Sequence, residues 1–304
     1  MGISVRVFIN AKSGSGSDDS TQQDLQTLFD KHACPVTFTR LSKFLDPAAL
    51  AKSDPPGMAY IAAGGDGTVN LVASTVAGTS RPMGVLPIGT LNHFAKDLNL
   101  PLELEPAVEV IAQGHTRKVD SAQVTPLAQP ARTFVNNSSL GVYPAMVIDR
   151  ERMKRSGRNK WASLVAASAR AFVRFRRLTV EFEVDGRPRR CTTPFVFVGN
   201  NEYCLEGTRL GEREHIDRGR LSLYLAPGAT RVTMLRLLTA ALLGRLKQTS
   251  DFQFFQPDSF RVTSRHRSLR VSLDGEVARL ATPLEYSIRP ASLNVLCPPP
   301  DPLA

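Results

Sequence analysis

The sequence is short of the residues that build covalently stapled or metal-held scaffolds. Its 304 residues include only four cysteines, Cys34, Cys191, Cys204 and Cys297, with no C-x-x-C spacing. That excludes a zinc ribbon or a disulfide framework, and the four read as reduced packing residues. His32, His93, His115, His215 and His266 form no ligand spacing either. No apolar run approaches the ~18–20 residues of a membrane span. The most apolar stretch, Leu235 to Leu246, is broken by Arg236 and Arg245. The chain opens on the alternating Ile3-Ser4-Val5-Arg6-Val7-Phe8-Ile9, without the basic head or cleavage site of a signal peptide, so a cytoplasmic location is expected. Tryptophan occurs once and tyrosine five times, with no nucleic-acid reading motif among the basic residues. No nucleic-acid partner is expected.

What is present is an ordinary globular composition, 42% hydrophobic and 22% charged, with 21 Gly and 21 Pro to supply turns. The length calls for two domains. Charge separates them: residues 1–120 hold 10 Lys+Arg against 12 Asp+Glu, while residues 121–304 hold 28 against 16. Residues 150–177 alone carry ten basic side chains and one acid, Glu151. Arg150, Arg152, Lys154, Arg155, Arg158 and Lys160 can face an anionic membrane, with Trp161, Leu164, Val165, Phe172 and Phe175 entering its interface. A solvated basic face over ordinary core residues reads equally well.

The first 120 residues alternate strand-like runs (Val5–Asn10, Val36–Leu41, Met58–Ala63, Met83–Pro87) with helix-like ones (Ser20–His32, Pro47–Lys52, Thr68–Ala77). That is the pattern of an α/β domain with a mostly parallel sheet. Beyond residue 120 the runs are short and β-rich: Thr133–Asn137, Leu178–Val184, Thr193–Gly199, Leu221–Leu225, Ser259–Thr263, Leu269–Leu273 and Leu284–Arg289. Turns such as Asp185-Gly186 and Asp274-Gly275 separate them, as in an antiparallel sandwich. Asn159–Arg176 and Thr230–Lys247 read as helices within that region.

In parallel sheets, ligands bind beyond the carboxyl ends of the strands. Three such loops here suit phosphate. Gly64-Gly65-Asp66-Gly67-Thr68-Val69-Asn70 ends a strand in glycines and opens a helix. Glycine there permits positive φ and close backbone approach, exposing a helix N-terminus to an anion. Asp66 beside phosphates calls for an intervening cation, and Mg²⁺ or its bound water fits. Alone, the motif also fits a tight turn with Thr68 as helix cap. Asn10-Ala11-Lys12-Ser13-Gly14 and Pro87-Ile88-Gly89-Thr90-Leu91-Asn92 occupy equivalent places, the latter opening a helix that Asn92 can cap. None is a Walker A or G-x-G-x-x-G sequence.

Gly64–Asn70, Pro87–Leu98 and Ser272-Leu273-Asp274-Gly275-Glu276 together resemble the diacylglycerol kinase catalytic-domain family, which includes bacterial soluble lipid kinases and sphingoid-base kinases. The resemblance covers nearly the whole chain. It implies a phosphofructokinase-like α/β nucleotide domain over residues 1–120, completed by 288–304, and a β-sandwich lipid-substrate domain over 121–287, with ATP and Mg²⁺ in the cleft between them. Carried over by position, Asn10, Ala11, Lys12, Ser13 and Gly14 match the nucleotide loop, with Ala11 where proline is usual. Thr39, Gly64, Gly65, Asp66, Gly67, Thr68, Val69, Asn70, Thr90 and Asn92 match further nucleotide positions. Asp274 and Glu276 match the D-G-E in which a carboxylate accepts the substrate hydroxyl's proton; which of the two does so stays open. The family's A-x-x-D-D-G, which helps to hold an accessory Mg²⁺, reads His215-Ile216-Asp217-Arg218-Gly219 here. With Arg218 in place of the second acid, Asp217 alone is a weak metal ligand and that accessory site is expected to be lost or altered.

The implied activity is ATP- and Mg²⁺-dependent phosphorylation of a lipid hydroxyl, diacylglycerol first, by a protein that visits the membrane surface transiently. A sphingoid base or another lipid alcohol remains an alternative acceptor. NAD kinase, which shares G-G-D-G-T, is the rival enzyme, and a non-catalytic membrane-binding module is the rival of another class. The oligomeric state, a homodimer included, is left open.

Overall fold

The computed structural model describes residues 3–9, 18–41, 47–141, 177–184, 186–204, 212–230, 232–233, 236–237 and 252–299. The expectations for Asn10–Gly14, for the helix Asn159–Arg176, for the basic run 150–176 and for most of Thr230–Lys247 lie outside those residues. By packing, the chain forms two units, Met1–Ser121 with Pro290–Ala304, and Ala122–Arg289.

In the first unit, β1 (Val5–Ile9), α1 (Asp18–Lys31), β2 (Val36–Arg40), α2 (Pro47–Ser53), β3 (Ala59–Ala63), α3 (Asp66–Val76), β4 (Pro82–Leu86), α4 (His93–Asp97) and α5 (Leu104–Gln113) follow in order. The strands are parallel, in the order β2-β1-β3-β4, and β16 (Leu284–Leu296) joins beside β4 through Asn294 and Val295. β3 is the central strand and is buried at all five positions, as expected where helices cover both faces of a parallel sheet. On one face Val5, Val7, Ile9, Ile61 and Leu86 pack on Leu25 and Phe29 of α1 and Val108 and Ile111 of α5. Burying each such side chain stabilises by about 1.5–3 kcal/mol. The register aligns Ile9 with Ala63 and Ala63 with Leu86, so β1, β3 and β4 end at one edge of the sheet.

Within this unit a charged cluster supports the strands. Arg6 bonds Asp54 twice at 2.6 Å, and Asp54 also accepts from the Tyr60 hydroxyl at 2.7 Å. The guanidinium of Arg6 holds the Asp54 carboxyl below the usual carboxylate range, and burial pushes the Tyr60 phenol up. Arg81, buried and stacked on the Tyr60 ring at 4.6 Å, donates to the carbonyls of Ala51, Asp54, Pro55 and Met58.

The second unit is a sandwich of antiparallel sheets. One has six strands in the order β12 (Gln253–Phe255), β11 (Leu221–Leu225), β10 (Phe195–Asn200), β7 (Asn137–Gly141), β14 (Ser268–Leu273) and β15 (Glu276–Ala281). The other runs from the first part of β16 through β13 (Ser259–Thr263) and β8 (Leu178–Val184) to β9 (Arg187–Thr193). Strands β5 (Thr116–Pro126) and β6 (Arg132–Phe134) form a hairpin on that sheet. Alternate residues from both sheets meet in one core that includes Phe134, Leu140, Val180, Val198, Leu223, Val262, Val271 and Tyr286. The outward row Arg190, Glu181, Arg261, Glu285 alternates in charge across the second sheet and suits a solvated face.

Several elements differ from the sequence pattern, and β5, β9, β12 and β15 are strands that the pattern did not mark. α5 was not among the expected helices; its Pro106 falls in the first turn, where a missing N–H is tolerated. The strand expected at Leu284–Arg289 continues through Pro290 and Ala291 to Leu296, because Asp120 Oδ1 accepts the Ala291 N–H at 2.8 Å at the interruption. The run Thr133–Asn137 is two strand ends rather than one strand. Phe134 closes β6 on one sheet and Asn137 opens β7 on the other, so Val135 and Asn136 form the corner where the chain changes sheet.

Candidate functional site

In the first unit, Gly64 continues from β3 and Pro87 from β4, so their loops leave one edge of the sheet side by side. The Gly64 N–H still reaches the Leu86 carbonyl at 3.3 Å. Beyond that, Gly65 and Gly89 touch through their backbones. A Cβ on Gly89 would stand 2.5 Å from the Gly65 Cα and 2.7 Å from Asn92 Oδ1, and one on Gly64 would stand 2.4 Å from Thr68 Oγ1. None of Gly64, Gly65, Gly67 or Gly89 has a positive φ. Glycine is required here for close approach and not, as the sequence also allowed, for left-handed backbone. Gly89→Ala has to move backbone against backbone; since a 1 Å misplacement of a binding element can cost about 100-fold, ATP affinity by equilibrium dialysis should fall at least about tenfold. Parent-like affinity would show that this contact does not shape the site.

The loop then becomes a helix start. Gly65 is the N-cap of α3, in extended conformation, and its carbonyl takes the N–H groups of Thr68 and Val69. Thr68 is therefore inside the first turn, buried against Gly64, rather than the cap. The opening turn of a helix presents N–H donors and the positive end of the dipole. Asp66 sits in that turn, and its Oδ1 is fully buried with no hydrogen-bond partner among the described residues. A buried carboxylate oxygen without a donor is costly, and it fits a hard cation, which takes oxygen ligands. The residues present thus fit Mg²⁺, which Asp66 would hold.

Asn92 stands at the N-cap position of α4 but makes no capping bond with its side chain. Its φ is +49°, and its Nδ2 donates to the carbonyls of Pro87 (3.0 Å) and Gly89 (2.8 Å), so it locks the loop that touches Gly65. Thr90 is exposed on the same loop, Val69 is on the buried face of α3, and Asn70 accepts from Ser74 at 3.4 Å. Thr39 is apart from them in its bonding, with its hydroxyl accepting from Arg6 Nη1 at 2.9 Å.

In the second unit the structure separates the two D-G-E carboxylates. Asp274 is buried, at φ +46°, and takes the N–H groups of Val135 (2.8 Å), Asn136 (2.8 Å) and Asn137 (2.9 Å). Three of its roughly four lone-pair sites are used on the corner between the sheets. Glu276, the first residue of β15, is exposed. At the same end of that sheet lies a cavity of about 610 Å³ lined by Asn201, Tyr203, His215, Arg218, Arg220 and Gln256 among others. Three strand spacings separate β10, which leads into it, from β15, roughly 14 Å at ~4.8 Å each. Arg218 contacts His215 Nε2 at 3.0 Å and gives its backbone N–H to Asn201 Oδ1, while Asp217 is exposed.

Arg213 was missed by reading the sequence, since one arginine among 38 basic residues draws no notice. The usable signal was the polar run Asn136-Asn137-Ser138-Ser139 and the pair Asn200-Asn201, both where strand patterns end. All four cysteines carry unpaired thiols, and burial pushes that of Cys191 up to about 11. Among the described residues no helix is long and apolar enough to cross a membrane.

A parallel α/β unit with facing glycine loops, followed by an antiparallel sandwich, defines a class of two-unit phosphate-handling proteins. Comparison with known proteins narrows it. The diacylglycerol kinase catalytic domain matches residues 4–124, and the YegS C-terminal NAD kinase beta sandwich-like domain matches residues 143–297, half of the chain. An uncharacterized protein of Synechocystis is 26% identical over 260 residues, 82% of this chain and 57% of that protein. A diacylglycerol kinase of Staphylococcus aureus is 24% identical over 71% of this chain and 67% of its own length. The crystal structure of a putative diacylglycerol kinase from Bacillus anthracis superimposes with a TM-score of 0.72 over 98% of both chains at 19% identity, which bears on the fold alone. The chain spans little more than half of the Synechocystis relative. It belongs to the diacylglycerol kinase catalytic-domain family with a YegS-type C-terminal sandwich.

Proposed function

We propose that the protein is an ATP- and Mg²⁺-dependent lipid kinase that transfers the γ-phosphoryl group to a lipid hydroxyl, with diacylglycerol as acceptor and phosphatidic acid as product. The observation that carries this is the paired glycine loop of the first unit, where Gly65 meets Gly89 beside the unpartnered Oδ1 of Asp66. Phosphoryl transfer needs positioning and charge neutralisation more than covalent chemistry. The α3 N-terminus and the Gly64–Thr68 loop bind and orient the phosphates, Asn92 holds the companion loop in place, and Asp66 holds the cation. Bound Mg²⁺ supplies charge neutralisation at the phosphates. The acceptor oxygen forms a bond to the γ-phosphorus as the bond to the β,γ-bridging oxygen breaks, ADP leaves, and Glu276 takes the hydroxyl proton. Exposure favours Glu276 over Asp274, whose oxygens are engaged by the corner. The polar cavity near Asn201 and Arg220, three strand spacings from Glu276, is suited to a polar part of the acceptor lipid other than the reacting hydroxyl.

Radiolabelled ATP offered with a panel of lipid alcohols should label diacylglycerol, and only with Mg²⁺ present. A sphingoid base or other lipid alcohol labelled in its place would move the acceptor within the same reaction; NADP formed from NAD, with no lipid labelled, would overturn the reading. The strongly basic second half supports approach to an anionic bilayer. Vesicle binding should then weaken several-fold between low and physiological salt, and binding indifferent to salt would remove that part.

A further inference from the structure

The corner Val135–Asn137 is held by two buried opposite charges. Asp274, 7% exposed, accepts its three N–H groups. Arg213, 4% exposed, works on the carbonyl side: Nη1 donates to Val135 O at 2.7 Å and Asn200 O at 2.9 Å, and Nη2 donates to Asn136 Oδ1 at 2.8 Å. Peptides that cross between sheets have no ladder partners and must be satisfied otherwise. Neutral groups would suffice, whereas desolvating two full charges is expensive and is not by itself a route to stability. What the pair adds is a single fixed geometry.

Two features tie that geometry to the acceptor side of the reaction. Asp274 is the fixed point of the hairpin Leu273–Glu276, and its own N–H returns to Asn137 O at 2.9 Å, so the corner dictates where exposed Glu276 begins β15. Arg213 also bridges Tyr203, with its guanidinium 5.5 Å from that ring, and Tyr203 lines the cavity with Glu214 and His215, the two residues that follow Arg213. One side chain therefore joins the cavity wall to the hairpin of the carboxylate.

We propose that Arg213 is a positioning residue, which through the Val135–Asn137 corner fixes Glu276 relative to the acceptor cavity; this rests on the reading of Glu276 as base. Arg213→Met, Arg213→Lys, Asn136→Ala and Glu276→Gln are to be compared in the full chain by kcat, by KM for ATP and for lipid separately, and by thermal midpoint. Arg213→Met should lower kcat by about 100-fold, the cost of a displacement near 1 Å, and raise KM for the lipid while leaving KM for ATP unchanged. Arg213→Lys, which keeps a donor for the two carbonyls, should recover to within about tenfold of the parent. A purely structural role would lower the thermal midpoint without splitting the two KM values. A folded Arg213→Met with parent kcat and lipid KM overturns the proposal. Should that variant not fold, Asn136→Ala, which removes one acceptor, decides in its place: a several-fold loss of kcat supports the role, and parent kinetics overturn it. Parent turnover in Glu276→Gln would overturn the base assignment instead, a result separable from the Arg213 series.

Discussion

Asp66→Ala is expected to reduce ATP-dependent lipid phosphorylation by about 100- to 1000-fold, the scale on which losing one electrostatic contact to a developing charge acts. Stability should not follow. Among the described residues Asp66 Oδ1 has no donor, so truncation removes a buried unsatisfied atom that costs about 1–3 kcal/mol. Against that stands the favourable placement of an acid in the first turn of α3, worth about 0.3–1 kcal/mol. The first term is the larger, so the thermal midpoint should hold or rise by a few degrees while activity is lost. A residue kept at a cost to the fold is what a site selected for function contains. Equal activity in the variant and the parent would sink the assignment, and lost activity with a collapsed midpoint would mean that Asp66 serves the fold.

Asp274→Asn is expected to do the opposite and to act chiefly on stability. The substitution turns an amide donor toward corner N–H groups that already donate. Leaving a buried N–H without its acceptor costs about 1–3 kcal/mol, and more where the acceptor lost was charged. At roughly 2–4 °C per kcal/mol for a domain of this size, the unfolding transition of the second unit should fall by about 10 °C in calorimetry. A shift below about 2 °C would show that the corner does not depend on the charge.

These contrasted outcomes separate the three carboxylates that the sequence groups together. Asp66 Oδ1 is buried without a partner among the described residues, Asp274 accepts three backbone N–H groups of the corner, and Glu276 is exposed. The D-G-E string could not rank its two acids, because spacing in a hairpin is the same whether a side chain turns toward a corner or toward solvent. Neither does the sequence show that Asn92 bonds Pro87 and Gly89 in place of capping its helix, since Asn suits a cap and an αL position equally.

Sequence by itself determined the local and periodic features. The alternation of buried strands with helices marked the parallel α/β unit, the short β runs marked the sandwich, and glycines after β3 and β4 marked where an anion can approach. Each of these depends on interactions within a few residues, or on burial patterns that repeat with the strand or helix period. Only the tertiary structure decided that Gly65 and Gly89 touch, that β16 runs on through Pro290, and that Arg213 and Asp274 grip the same corner. Those contacts join residues between 24 and some 170 positions apart, and long-range pairing leaves no period in the chain to be read. The positions that carry chemistry are visible as types along the sequence; their division into holder, anchor and base depends on which neighbours the fold brings to each.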